Sequence, residues 1–342
     1  MTKFNYQKIC SDLIEGLSPK GREVVSRRFG LDQNQKETLE AIGQDHSITR
    51  ERVRQIQEDA ILKVNKVLDR YQPVFKHLEN AFRSYGNIKK EDVLLNLLGE
   101  GNNQNQVFFL LTLGKPFLRF FETDKYHTFW TTEPKPTAAM NNVVSAFHKF
   151  LSKRKTPITL QEVSANEFFG KNKSKEKIHS FGPQSFHSIL EVSKNIQKNQ
   201  DGFWGLREWP EINPRGIKDR AYVAFKKEQK PLHFSEVARL IGGNANVQSV
   251  HNELIRDNRF VLVGRGLYAL KEMGYRPGVV RDVIIGILKD SKKPLTQEEI
   301  LSEVSKQRVV QKSTVLINLN NKQCFSKNPE GKYVFVKGVS SI

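Results

Sequence analysis

Residues 38–66 contain two short amphipathic stretches separated by a polar turn, and this pattern constrains the fold of the chain more than any other. Thr49 is placed to cap the second stretch, because its hydroxyl can accept a hydrogen bond from a free amide in the first helical turn. Apolar residues then recur at helical spacing, namely Val53, Ile56, Ala60, Ile61 and Val64. The pattern predicts two helices joined by a tight turn, which is a helix-turn-helix.

The outward face of the second helix carries side chains suited to base edges. Arg50 and Arg54 have the shape to bind guanine, Gln55 to bind adenine and Glu51 to bind cytosine. Their place in the first two turns is typical of a recognition helix that enters the major groove by its N-terminal end. The alternative is a solvated surface whose mixed charges pair with one another. Glu58 and Asp59 would repel phosphates and weaken binding by this module alone.

Three segments resemble region 4 of bacterial housekeeping-type sigma factors, the part that reads the promoter −35 element. They are Arg-Arg-Phe-Gly-Leu-Asp at 27–32, Thr-Leu-Glu at 38–40 with Gly43, and Thr-Arg-Glu-Arg-Val-Arg-Gln-Ile at 49–56. The resemblance covers about the first fifth of the chain. It implies that DNA is contacted by a set of side chains from these segments: Arg50, Glu51, Arg52, Arg54, Gln55 and Thr38, with Lys20 and Arg28 at the DNA backbone. It also implies that helices at 4–17 and 19–29 offer an apolar groove to the flap tip of the RNA polymerase β subunit.

Length and charge indicate further domains and a polyanionic partner. A chain of 342 residues is too long for one core of this helical type. Its net charge of +18 favours nucleic acid, but residues 1–70 hold 13 Lys and Arg against 11 Asp and Glu. Most of the attraction to phosphate is therefore expected from the rest of the chain. There is no apolar run of membrane-spanning length and no signal-peptide pattern, so we expect a cytoplasmic location.

A repeated helix-start pattern divides the remainder into four units. An apolar residue after a turn, a capping position, an acidic residue and a branched apolar residue recur at 86–93, 156–163, 230–237 and 293–300. Each is followed by a second helical stretch and a short aromatic strand, containing Trp130, Trp204, Tyr268 or Tyr333, which we expect to be core residues. This layout is typical of a winged helix. The predicted fold is mainly α with small β wings, with these domains: 1–70, a helix-turn-helix, and winged-helix-like units at 71–132, 137–210, 213–275 and 276–337.

The third of these units carries a second resemblance. Residues 213–275, with Val-Gly-Arg-Gly-Leu-Tyr-Ala-Leu at 263–270, resemble the HARE-HTH domain, a winged helix found in the δ subunit of RNA polymerase, in some restriction enzymes and in chromatin proteins. Possible further DNA contacts in this unit are Gln248, Ser249, His251, Asn252, Arg259 and Arg265. The alternative is a surface that binds protein or is merely solvated. A basic loop at 171–177 is expected to be a solvated insertion.

No pattern indicates catalysis, a cofactor or a metal. His233 and His251 have no paired nucleophile or carboxylate motif, and Cys10 and Cys324 have no ligand spacing around them. The sequence therefore predicts a non-enzymatic bacterial protein that binds double-stranded DNA in transcription. The resemblance to region 4 implies a possible second partner, RNA polymerase core, bound through the β flap. Two alternatives stay open: a protein-binding scaffold on RNA polymerase, and the DNA-specificity subunit of a restriction or defence system.

Overall fold

Four helices open the chain in a computed structural model that describes residues 4–32, 35–163 and 183–336. They are α1 (Tyr6–Glu15), α2 (Pro19–Phe29), α3 (Leu39–Asp45) and α4 (Arg50–Asn65). A polar side chain caps each N-terminus by accepting from a backbone N–H of the first turn, and these caps are Asn5, Ser18, Thr38 and Thr49. The caps satisfy amides that a helix leaves unpaired. The predicted helix-turn-helix is confirmed and corresponds to α3, a turn and α4.

The next segment shares its hydrophobic core with α1 and α2. Its elements are α5 (Gln72–Ser84), β1 (Ile88–Lys90), α6 (Glu91–Gly99), α7 (Gln104–Leu113), β2 (Leu118–Phe120) and β3 (Phe129–Thr131). The three strands form an antiparallel sheet in the order β1-β3-β2. Leu13 and Phe29 from the first helices lie in one buried cluster with Leu78 and Phe109. The core of the helix-turn-helix therefore continues into the segment that follows it.

Within 137–163 and 183–206, the structure describes two helices and a small hairpin. These are α8 (Thr137–Arg154), α9 (Pro183–Val192), β4 (Ile196–Lys198) and β5 (Trp204–Leu206). Ile158 pairs with Trp204 through two backbone hydrogen bonds of 2.9 and 2.7 Å. Ser188 donates a 2.8 Å hydrogen bond to the carbonyl of Tyr85 and so ties α9 to the preceding segment. The basic loop predicted at 171–177 lies outside the described residues.

The chain divides by its contacts into two units, Met1–Glu208 and Trp209–Ile342. The second unit begins with α10 (Gly216–Glu228), β6 (Leu232–His233), α11 (Phe234–Ile241), α12 (Val247–Arg256), β7 (Phe260–Gly264) and β8 (Leu267–Leu270). It continues with α13 (Val280–Ser291), α14 (Gln297–Gln307), α15 (Lys312–Leu319), β9 (Phe325–Lys327) and β10 (Tyr333–Phe335). The antiparallel sheets have the orders β6-β8-β7 and β10-β9. Overall the protein is mostly helical with small antiparallel sheets.

An equivalent strand pairing recurs in each of the four segments after α4. A short extended piece that follows the first helix pairs with the last strand: β1 with β3, Ile158 with Trp204, β6 with β8, and Leu295 with Tyr333. The aromatic residues expected in the core are at most 6% exposed, which confirms that prediction, and they are Trp130, Trp204, Tyr268 and Tyr333. The division into tandem winged-helix domains and the HARE-HTH resemblance stay predictions.

Candidate nucleic-acid interface

The turn between α3 and α4 fixes the direction of α4. The amide of Ile48 donates to the carbonyl of Gly43 across a distance of 2.9 Å. A Cβ atom at position 43 would lie only 2.7 Å from the carbonyl oxygen of Ile48, so the close approach requires glycine. Beneath the turn, Val24, Ile42 and Val53 form a small cluster and are fully buried. This packing holds α4 against α2 and α3 and leaves its other side open.

The five side chains predicted to contact DNA on α4 are all exposed. Arg50, Glu51, Arg52, Arg54 and Gln55 occupy the first two turns, and the buried Val53 alone interrupts them. The N-cap Thr49 accepts a 3.2 Å hydrogen bond from the amide of Arg52, so the helix begins where the sequence predicted. The geometry brings the predicted base-reading side chains together at one end of one helix.

Arg54 is paired within its own helix. Its Nε and Nη2 atoms donate to the two carboxylate oxygens of Glu51 over 2.9 and 2.6 Å, and its Nη1 atom donates to Glu58. The hydrogen bond from Arg54 lowers the pKa of Glu51, and the same contact raises the pKa of Arg54. The self-paired surface that the sequence left open as an alternative is therefore present at this position.

The other side chains of the surface differ in how strongly they are held. Arg52 donates to Gln55 Oε1 over 3.1 Å. Arg50 is exposed and makes no hydrogen bond or ion pair with any residue that the structure describes. It is therefore the predicted base reader that is most available to a ligand.

The three predicted contacts outside α4 have different surroundings. Lys20 is exposed in the first turn of α2. Thr38 caps α3 by accepting from the amide of Ala41 over 3.1 Å, and its hydroxyl proton remains available. Arg28 donates over 2.8 Å to the carbonyl of Glu37, so it also anchors the segment that leads into α3.

The apolar surface of α1 and α2 is covered by α7. The Phe29 and Phe109 rings lie 4.9 Å apart, and the Cys10 side chain is 1% exposed. Polar contacts fix the same interface, because Gln106 Nε2 donates to the carbonyl of Leu31 over 2.9 Å. The groove that the resemblance assigns to the polymerase flap tip is thus filled by a helix of the same chain.

The candidate residues of the second unit fall into two groups. Four of them are exposed at the surface: Gln248, Ser249, Asn252 and Arg265. Arg259 instead pairs with Asp219 and Asp257 at 3.0 and 2.6 Å. His251 packs 4.4 Å from the ring of Phe234, measured between centroids. Arg259 and His251 therefore make contacts within the fold, and DNA contact by either of them stays a prediction.

A group of cationic and aromatic side chains beside α4 is visible only in the fold. Lys36 lies over the ring of Phe108 at 3.6 Å from the centroid, and Arg119 lies near the same ring. These residues are far apart in the sequence, and no local pattern connects them. Each alone looks like an ordinary surface cation or core ring.

Residues 4–32, 35–163 and 183–336 contain neither a candidate metal site nor a candidate membrane-spanning helix. No group of three or more His, Cys, Asp or Glu side chains there is arranged to hold a metal ion. No helix in those ranges has the length and apolar character to cross a membrane.

Comparison with known proteins bears on the N-terminal segment. Residues 13–66 match the family model for sigma-70, region 4. The chain is 53% identical over 53 residues to RNA polymerase sigma factor RpoS of Coxiella burnetii, which is 16% of this chain and 15% of that protein. It is 39% identical over 56 residues to RNA polymerase principal sigma factor HrdD of Streptomyces coelicolor, covering 16% and 17%. For SigA of a Nostoc species the identity is 44% over 64 residues, covering 17% and 16%.

These matches identify one domain, since the chain spans less than a fifth of the length of each of these relatives. The matched residues contain the α2 and α3 helices, the glycine turn and the exposed end of α4 described above. Residues 13–66 therefore form a sigma-70 region 4 domain, a DNA-binding helix-turn-helix.

Proposed function

We propose that this protein binds double-stranded DNA sequence-specifically in bacterial transcription. The observation that carries the proposal is the exposed N-terminal end of α4, where Arg50, Arg54 and Gln55 lie on one helix within a region 4 domain. Arginine binds guanine and glutamine binds adenine through paired hydrogen bonds in the major groove. In this proposal Glu51 reads cytosine or keeps Arg54 in place for a neighbouring base.

Affinity in this proposal comes mainly from outside α4. The outward face of α4 is neutral, because Arg50, Arg52 and Arg54 are offset by Glu51, Glu58 and Asp59. Lys20, Thr38 and Arg28 add contacts to the DNA backbone. Residues 209–342 hold 23 Lys and Arg against 13 Asp and Glu, and their winged-helix-like segments supply salt-sensitive attraction to phosphate. The exposed candidate contacts there are Gln248, Ser249, Asn252 and Arg265, and of these only Arg265 carries a positive charge.

RNA polymerase core is the second partner that we propose. Docking of the β flap at α1 and α2 requires α7 to move, because Phe109 of α7 is fully buried and packs on Phe29. Exposing such a side chain costs about 1.5–3 kcal/mol. We therefore expect the flap to bind weakly at this face unless another contact displaces α7.

A protein-binding scaffold is the second candidate function. The pairing of Arg54 with Glu51 and Glu58 favours it, because a self-paired face needs no DNA partner. In that case the chain would bind polymerase without reading a base sequence.

Selection from random-sequence duplexes followed by footprinting, with and without core polymerase, tests the proposal. Arg50→Ala and Gln55→Ala should each reduce preference for the selected site by about 1–3 kcal/mol per lost base contact. Folding should be unchanged, because both side chains are exposed. Arg83→Ala, which removes an exposed arginine from α5, is the matched control. Equal losses on selected and random duplexes would mean that these side chains hold only phosphates, and no selected site would favour the scaffold.

A further inference from the structure

A cleft lined by cations and aromatic rings lies between the region 4 domain and the segment that follows it. Its volume is about 490 Å³, which is within the usual range for small-ligand sites. The lining residues that matter here are Arg28, Lys36, Gln57, Phe108, Arg119 and Phe121. All of them belong to the unit Met1–Glu208. None belongs to the predicted base-reading set on α4, although Arg28 is also a predicted contact to the DNA backbone.

Cations and rings alternate along this cleft. The Lys36 ammonium lies 3.6 Å from the centroid of Phe108. The Arg119 guanidinium lies 5.2 Å from the Phe108 centroid and 4.8 Å from that of Phe121. Phe121 is 71% exposed, although large apolar side chains are usually buried. An exposed ring beside cations is a surface on which a planar group can stack.

The cleft holds more positive than negative charge. Glu91 is the carboxylate that pairs with Arg119, at 2.5 and 2.7 Å, and it also accepts from Trp130 Nε1 over 2.8 Å. Lys36 has no carboxylate within ion-pair distance among the described residues. Desolvation by its surroundings lowers the pKa of Lys36. The negative charge of Glu91 opposes this shift, and the positive charges of Arg119 and Arg28 add to it. A group that brings negative charge would therefore be favoured at Lys36 and Arg28.

One polar atom of the cleft wall is left without a partner. The Oε1 atom of Gln57 is shielded from solvent and makes no hydrogen bond with the described residues. A buried acceptor of this kind costs free energy unless a ligand or water satisfies it. The amide of Gln57 can exchange hydrogen bonds with the edge of a heterocyclic base.

We propose that this cleft binds an unpaired nucleotide. The base stacks on the exposed ring of Phe121, the phosphate binds Lys36 and Arg28, and Gln57 contacts the base edge. An acidic peptide would satisfy the cations but would leave the ring and the amide without a matched group. Stacked rings beside basic side chains are the common means of binding single-stranded nucleic acid. The nucleotide can come from an open DNA strand or from a free mononucleotide.

The full chain and a fluorescent thymidine hexamer give the direct test, at near-physiological salt so that non-specific attraction is screened. Phe121→Ala and Lys36→Gln should each weaken binding about tenfold, since stacking and a phosphate contact are lost. Phe121→Leu should fail like Phe121→Ala, because it keeps an apolar side chain but removes the ring. Leu97→Ala removes another exposed apolar side chain of the same unit, and Lys63→Gln removes another exposed lysine. Both controls should stay within about twofold of the unchanged chain.

Location is tested with the same hexamer carrying 5-iodouracil. Photo-crosslinking should label the peptides that contain Phe108 or Phe121. Displacement of the probe by thymidine monophosphate would assign the site to single nucleotides, and displacement only by longer strands would assign it to open DNA. Either result supports the proposal. Unchanged affinity in Phe121→Ala and Lys36→Gln would overturn it, as would equal displacement by a polyglutamate peptide.

The proposed nucleotide site can be tested independently of the base reading proposed for α4. Arg50→Ala should leave hexamer binding unchanged, and Phe121→Ala should leave preference for the selected duplex unchanged. If no duplex site is selected while Phe121→Ala still weakens hexamer binding, the proposed duplex function fails and the nucleotide site stands.

Discussion

In the protein without DNA, Arg54 is held by ion pairs within its own helix. Its guanidinium lies between Glu51 and Glu58, three residues before it and four after it, which is the spacing at which helical side chains meet. Ion pairs between exposed side chains contribute little and are screened by salt. DNA can therefore compete for Arg54, but the two carboxylates must then face the groove. In the proposed complex with DNA, Glu58 and Glu51 therefore lower affinity for phosphate while they hold Arg54 in position.

Glu58→Gln should strengthen binding to duplex DNA. The change removes one negative charge beside the groove and frees one side of Arg54, so we expect affinity to rise by about two- to fivefold at low salt and by less at higher salt. Titration of a labelled random duplex at several salt concentrations measures this. Glu15→Gln, at an exposed position of α1, is the control for net charge alone. Equal gains in both variants would mean that Glu58 acts through the overall charge and does not lie beside the DNA.

The sequence predicted which α4 residues are exposed but not how they pair. Helical periodicity is a local property, so Val53 inside and Arg50 outside followed directly from spacing. Side-chain pairing depends on competition among solvent, neighbours and ligand. For the same reason Arg259 looked available from the sequence, although Asp219, which is distant in the sequence, neutralises it in the fold.

The turn before α4 depends on a glycine that has an ordinary backbone conformation. Gly43 lies at the end of α3, and its role comes from the close approach of the Ile48 carbonyl. One residue of this turn does have a left-handed backbone conformation, namely Ser47 with a φ angle of 53°. The sequence pattern located the turn, but the reason for glycine at this position is visible only in the contact.

Gly43→Ala should destabilise the region 4 domain and lower its affinity for DNA. The added Cβ would lie 2.7 Å from the Ile48 oxygen, so the turn must shift, and such overpacking costs about 1–3 kcal/mol. Urea unfolding followed by circular dichroism, together with duplex titration, measures both effects. Gly16→Ala is the matched control, because no atom lies within 4 Å of a Cβ built there. A Gly43→Ala chain as stable as the control would show that the turn tolerates the shift.

The position of α7 could not be predicted from the sequence. Its apolar residues mark it as a buried helix, but periodicity does not say which surface buries it. Phe109 packs on Phe29 because the chain returns to α2 after α6, a long-range contact. The cleft beside α4 forms for the same reason, because Lys36 and Arg119 come together only when the chain returns to α2 after α6. The repeated helix starts, by contrast, were readable because caps and turns are local signals.

At the scale of the whole molecule, the two units differ in length and in net charge. Met1–Glu208 holds 32 Lys and Arg against 24 Asp and Glu, and Trp209–Ile342 holds 23 against 13. The smaller unit therefore carries the larger net charge, +10 against +8. The shared core of α1, α2 and α7 also means that a fragment ending near residue 70 would expose apolar side chains. The division at 208 and 209 is the better place to separate the two parts.

Fragments 1–208 and 209–342 should bind DNA in different ways. Fragment 209–342 should bind any duplex, and its affinity should fall steeply as salt is raised. In a plot of log affinity against log salt concentration, each phosphate contact adds about −0.9 to the slope. Fragment 1–208 should keep the preference for the selected site and show a shallower salt dependence, because its net charge is lower. Salt titrations of both fragments on selected and random duplexes measure the slopes. If 209–342 does not bind duplex even at low salt, its repeated segments bind protein, and the scaffold function becomes the better account. If 1–208 shows no site preference while the full chain does, base reading needs both units.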